Sequence, residues 1–195
     1  MAKFTKYFIK ENNSPFWAFA IHDGHQIDEQ IAPFLNLNET ERLREEDPFT
    51  SVMAELPINQ FIVGSSRFQL DLNRTINDSV YLRPEQAWGL NVWKLDLPED
   101  IVTELYLDHE NIYKEIEELI QATIDRFGFF VILDIHSYNA KRVGPEEAVD
   151  TIKNPQINLG TAYISEKWKP LIQELVEYIR KENLYGEPID IQENI

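Results

Sequence analysis

The chain has 195 residues, 43% of them hydrophobic, and carries 34 acidic against 18 basic side chains for a formal charge of -16. That is enough apolar material for a domain with a sizeable core. The charge argues against nucleic acid and anionic membrane as partners, because both require a basic face. Cysteine is absent, which excludes disulfides and thiolate metal sites, so any metal must be held by His, Asp, Glu or water. The first residues lack the apolar core of a signal peptide, and no apolar run approaches the ~20 residues of a membrane span. A soluble cytoplasmic protein is expected.

Taken in chain order, Phe16–Ile21 reads as a buried strand that runs straight into Ile21-His-Asp-Gly-His25. Gly24 would let the backbone turn sharply there beside a ligand. Residues 40–46 have helical composition. Asp47-Pro48 then reads as a new helix start, with Asp47 as N-cap and Pro48 in the first helical position, continuing to Leu56. Phe61–Gly64 is a short strand. In Ser65–Arg74, Phe68, Leu70 and Leu72 alternate with Gln69, Asp71 and Asn73, which predicts a half-buried strand or extended segment. Residues 75–100 are punctuated as a loop that packs down on Tyr81, Trp88 and Trp93.

Leu105, Ile112, Ile116, Leu119, Ile120, Thr123, Ile124 and Phe127 recur at helical spacing and predict a long amphipathic helix closed by Gly128. His109, between Asp108 and Glu110, reads as solvated. Phe129–Ile135 is an almost unbroken apolar run, read as a strand buried on both faces within a parallel sheet. It contains Asp134 and ends at His136, where ligand crevices of open α/β sheets form. A loop over 140–160 precedes a second amphipathic helix from about Ser165 to Leu184, with Pro170 in or near its first turn. Ile189–Ile191 begins something strand-like. Alternating strands and helices predict a single three-layer α/β/α domain over residues 1–195 with a mixed, largely parallel sheet.

Three of the four histidines lie in two motifs, His22-x-x-His25 and Asp134-x-His136, both at predicted strand ends. Acidic residues stand at Glu45-Glu46-Asp47. Two histidines and a carboxylate, with water in a fourth position, make an open catalytic zinc site. Asp134 suits the role of acceptor that orients a ligating histidine. Arg67 and the pair Asn73-Arg74 have the chemistry for carboxylate recognition, although on the residues alone ion pairing with the protein's own excess of acids is the stronger reading.

Ile21-His-Asp-Gly-His25, Leu43-Arg-Glu-Glu-Asp-Pro-Phe-Thr50, Ser66-Arg-Phe-Gln-Leu-Asp-Leu-Asn-Arg74 and Leu133-Asp-Ile-His-Ser137 resemble the N-formylglutamate amidohydrolase family, in order and across residues 16–195. The resemblance implies a zinc carboxypeptidase-like hydrolase fold and zinc-dependent hydrolysis of an N-acyl amide on a small acidic amino acid. It implies zinc ligands at His22, at Glu46 or Asp47 (Asp47 preferred), and at His136. Arg67 would stabilise the oxyanion, Asn73 and Arg74 would clamp the substrate carboxylate, and His25 would be a further ligand or a donor to substrate.

Two departures stand out. Ser51 replaces a frequent aspartate. The family also continues past Ile195 with a Gly-Gly turn, a helix and a strand bearing the acid expected as general base. A C-terminally incomplete domain is therefore expected, weak or inactive as a hydrolase, with a sheet edge near Ile189–Ile191 open to pairing with another copy. Two alternatives remain at this stage, a non-catalytic metal- or carboxylate-binding domain and a carboxypeptidase-like peptidase.

Overall fold

The structure, a computed structural model, describes residues 2–141, 146, 148–150 and 152–194. It divides into two compact units, Met1–Tyr138 and Asn139–Ile195.

The first unit is built on a four-stranded sheet of β1 (Tyr7–Lys10), β2 (Phe16–Ala20), β3 (Asn59–Val63) and β4 (Val131–Asp134), in the order β1-β3-β2-β4. β1 is antiparallel to β3, while β2 is parallel to both β3 and β4. The sheet is thus mixed and mostly parallel, as the alternation of elements predicts. Its register sets Phe19 beside both Phe61 and Asp134. Chain leaving β2 and chain leaving β4 therefore emerge side by side at one end of the sheet.

Trp17, Phe19, Phe61 and Val63 cover one face of the sheet and meet Phe4, Ile31, Leu70 and Leu72. Helix α3 (Glu99–Phe127) lays Leu105 and Ile112 into the same cluster, with Ile116 and Leu119 at its margin. Each large side chain buried in this way contributes about 1.5–3 kcal/mol from the area removed from water. Trp17 also reaches across to α3, donating its Nε1–H to Thr123 Oγ1 at 3.0 Å. The helix ends at Gly128, whose φ of 78° lies in the left-handed region that closes helices. Helix α1 (Glu39–Glu45) starts at Asn38 with a reciprocal capping box to Glu41.

Four expectations are corrected. β4 is an edge strand, and Phe129, Phe130 and Leu133 stay partly exposed instead of being buried on both faces. The helix expected from Asp47-Pro48 to Leu56 is a single turn, α2 (Thr50–Met53), entered through Phe49 at φ 72°. Asp47 keeps its carbonyl on Thr50 N–H and Oγ1–H, but its side chain turns to a histidine. Ser65–Arg74 is a run of turns, held by Gln69 N–H on Ser66 C=O and Arg74 N–H on Asp71 C=O. Both parities of residues 68–72 are buried. His109 is buried, stacked on Tyr113 and in contact with the Arg74 carbonyl at 3.0 Å.

Asp108, its neighbour, is buried as well and accepts the backbone N–H groups of Lys3, Phe4 and Thr5 at 2.5, 2.8 and 2.8 Å. Replacing it with alanine would strand three donors. Urea unfolding should show a loss of about 2–3 kcal/mol, the scale of hydrogen bonds to a charged partner. A loss under ~0.5 kcal/mol would show that the N-terminal segment is anchored elsewhere.

The second unit pairs β5 (Ile157–Leu159) in parallel with β8 (Ile191–Glu193) and carries helix α4 (Lys169–Lys181), with Pro170 in its first turn. A two-stranded hairpin, β6 (Asn183–Leu184) with β7 (Glu187–Pro188), turns through Tyr185 and Gly186 at φ 52° and 88°. The expected loop over 140–160 contains β5, and residues 142–145, 147 and 151 within it lie outside the described residues.

Candidate functional site

The sheet register places the two histidine motifs together. His22 follows β2 and His136 follows β4, on adjacent parallel strands, and their rings lie 4.9 Å apart between centroids. The turn after α1 brings Asp47 to them and is fastened by Asp47 N–H on the His22 carbonyl at 3.0 Å. Asp47 Oδ2 is 2.8 Å from His136 Nδ1 and 3.5 Å from His22 Nδ1. One ligand atom from each of these three residues fits within a 4.8 Å span.

Each ring has a second carboxylate on its far side. His22 Nε2 is 2.7 Å from Asp71 Oδ1, and His136 Nε2 is 3.2 Å from Asp134 Oδ2. A carboxylate on Nε2 favours the proton there and leaves Nδ1 free to bind a metal. His22 Nδ1 is buried and has no hydrogen-bond partner. A buried imidazole nitrogen aimed at a carboxylate without bonding to it is what a set of metal ligands leaves when the ion is taken away. His22, Asp47 and His136 therefore fit a metal of the kind held by nitrogen and carboxylate oxygen.

Charge in this cluster is strongly organised. Burial alone would raise Asp47, yet the His136 hydrogen bond and the charge of that ring hold its carboxyl below the usual range. Partial burial would lower His136, whose side chain is 31% exposed. Asp134 and Asp47 outweigh that and push it up to about 9. Asp71 is buried, which alone would raise it, but His22, Arg67 and Tyr81 keep it well below the ordinary carboxylate range.

The other expected site residues fall around this core. Glu46 points away from the three-residue group. It is 2.5 Å from His25 Nδ1, accepts the Ser66 hydroxyl and lies near Arg42. His25 is held on both nitrogens, with Arg42 Nη2 at 2.8 Å from its Nε2. A guanidinium can only donate, so His25 carries its proton on Nδ1 toward Glu46. Arg67 is buried. It donates to Asp71 Oδ2 at 2.7 Å and to the Glu45 carbonyl at 3.2 Å, and it lies 4.9 Å from the Trp88 ring. Arg74 is more open, with Nε 3.9 Å from the same Asp71 oxygen. Arg74 and Asn73 line a cavity of about 420 Å³ with Thr75, Asp78, Glu85 and Gln86.

The motif glycine matters through close approach. A Cβ on Gly24 would fall 2.2 Å from the Gly64 carbonyl carbon and 2.5 Å from the Ser65 oxygen. Gly24→Ala must therefore displace the loop bearing His22 and His25 from the end of β3. Thermal melts should show clear destabilisation, and metal binding should weaken with it. Native-like values for both would mean that the loop relaxes without cost.

Asp71 is the site residue that periodicity hides, since the alternation in 68–72 makes it look like a solvated position. The signal was the same as for Asp134, an aspartate enclosed by apolar neighbours.

No curated protein matches this chain. In shape it is similar to the crystal structure of an N-formylglutamate amidohydrolase from Ralstonia eutropha JMP134, with a TM-score of 0.70 and 14% identity, over 96% of this chain and 76% of that one. At that identity the likeness speaks for the fold. A family model carries the assignment further: the chain belongs to the N-formylglutamate amidohydrolase family, which it matches over residues 14–186.

Proposed function

We propose that the chain is a zinc-dependent amidohydrolase that cleaves the linear N-acyl amide of a small acidic amino acid, N-formylglutamate being the first candidate. The observation that carries this reading is the convergence of His22, Asp47 and His136, with His22 Nδ1 buried and unpartnered. When bound there, zinc polarises a carbonyl and lowers the pKa of a water toward ~7. The chain's own part is positional. Asp71 and Asp134 fix the two imidazole rings, and His136 sits at the exposed side of the group.

Arg67 supplies fixed positive charge beside the centre, and its buried Nε–H has no protein partner. It suits the negative oxygen that develops on the acyl carbon. Asn73 and Arg74, on the wall of the 420 Å³ cavity, suit the substrate carboxylate. His25 has both ring nitrogens engaged by Glu46 and Arg42 and would reach substrate only after releasing one of them.

The test combines metal analysis with an assay. Protein purified without an affinity tag should contain close to one zinc per chain, and the weak formate release expected from N-formylglutamate should vanish on chelation and return with zinc. Absence of both metal and turnover would overturn the reading. Arg74→Lys should raise KM about tenfold, because lysine cannot reproduce a two-pronged contact and one charge-assisted bond contributes about 1.5 kcal/mol. An unchanged KM would remove Arg74 from the clamp.

A further inference from the structure

We propose that Asp71 is a positioning residue that joins the metal-binding and substrate-binding halves of the site through one carboxylate. This rests on the reading above. Asp71 is fully buried, and its two oxygens divide their partners. Oδ1 takes His22 Nε2 at 2.7 Å and the Asn73 backbone N–H at 2.8 Å. Oδ2 takes Arg67 Nη2 at 2.7 Å and the Tyr81 hydroxyl, with Arg74 Nε at 3.9 Å. One side chain thus bonds to a proposed metal ligand, to the oxyanion arginine and to the backbone of Asn73, with the Arg74 guanidinium in ion-pair range at 3.9 Å.

The chemistry of each contact follows. A buried carboxylate on Nε2 holds the His22 proton there and presents the Nδ1 lone pair to the centre. The same negative charge keeps the Arg67 fork in one orientation, and Tyr81 supplies a further donor that prevents the carboxylate from turning. An asparagine at this position has the same shape but no charge. Its oxygen can serve His22 or Arg67, and its NH2 group then confronts the other donor set. One half of the site must loosen, and the neutral amide serves the remaining half less well.

Two measurements test this. In uniformly 15N-labelled metal-free protein, the His22 ring should show the Nε2–H tautomer, with Nδ1 unprotonated. This needs no variant and survives any folding defect of one. A His22 proton on Nδ1 would overturn the proposal. Second, zinc titration calorimetry on Asp71→Asn, confirmed as folded by circular dichroism, should show affinity 10–100-fold below wild type, together with a raised KM for N-formylglutamate. Tyr81→Phe leaves the carboxylate on His22 and Arg67 and should bind zinc within about threefold of wild type. A purely structural aspartate would lower the melting temperature without moving tautomer or zinc affinity, and a purely metal-side role would leave KM unchanged. Either result overturns the coupling. Wild-type protein that binds no zinc would refute the proposed function instead, and the tautomer would still decide the role of Asp71.

Discussion

Asp47→Ala is expected to abolish metal binding, while Glu46→Gln, one residue earlier, is expected to leave zinc affinity within about tenfold of wild type. The two carboxylates are adjacent in sequence and point to different partners. Asp47 Oδ2 faces the Nδ1 atoms of both His22 and His136, whereas Glu46 is tied to His25, Ser66 and Arg42. Losing the partner behind a ligand typically costs 10–100-fold in metal affinity, and losing one of three protein ligands should exceed that. Glu46→Gln keeps a group that can hydrogen-bond Ser66 and His25, so its effect on Asp47 is indirect. Calorimetric zinc titrations of the two variants, run beside wild type, give the answer. If Glu46→Gln loses the metal and Asp47→Ala keeps it, the ligand assignment is inverted.

This pair also shows how far the residues alone could be read. Strand ends that run into histidine are visible in sequence, and the parallel pairing of β2 with β4 brings those ends together. Which of Glu46 and Asp47 faces inward is set by the backbone between α1 and α2, including the left-handed Phe49. No periodicity encodes that. Asp71 was hidden for a related reason. Its segment alternates like a half-buried strand but folds as turns, and turns bury both parities.

His109 carried a usable signal that its charged neighbours masked. It stands four residues after Leu105 and three before Ile112, on the helix stripe that faces the core. The apolar run ending at His136 misled in the opposite sense. Continuous hydrophobicity suggests a doubly buried strand, and here it belongs to an edge strand. The mixed, mostly parallel sheet and the family were both legible, because they depend on element order and on motifs spread along the chain.

His136 makes zinc binding pH-dependent in a direction that can be stated in advance. Its pKa in the metal-free fold stands at about 9 against an ordinary 6.5: partial burial lowers it, but Asp134 and Asp47 raise it by more. A group raised on folding stabilises the folded state fully below its unfolded pKa. That contribution fades as pH climbs from about 6.5 through about 9. Asp47 is shifted the other way, below 3.8, so its contribution is present above that value and is lost only as pH falls further.

The metal-free protein should therefore gain most from this pair between about pH 4 and 6.5, and its melting temperature should decline toward pH 9. Zinc requires the neutral imidazole, so it competes with the proton on His136. Affinity should rise by about tenfold per pH unit between 7 and 9, the slope of one displaced proton. Binding at pH 7.5 should release close to one proton, measurable by titration in two buffers of different ionisation enthalpy. His136→Asn should flatten the stability decline of the metal-free protein across the same window. A zinc affinity that stays level from pH 7 to 9, with no proton released, would show that His136 is already neutral before the metal arrives and that the Asp134–His136–Asp47 chain does not hold its charge.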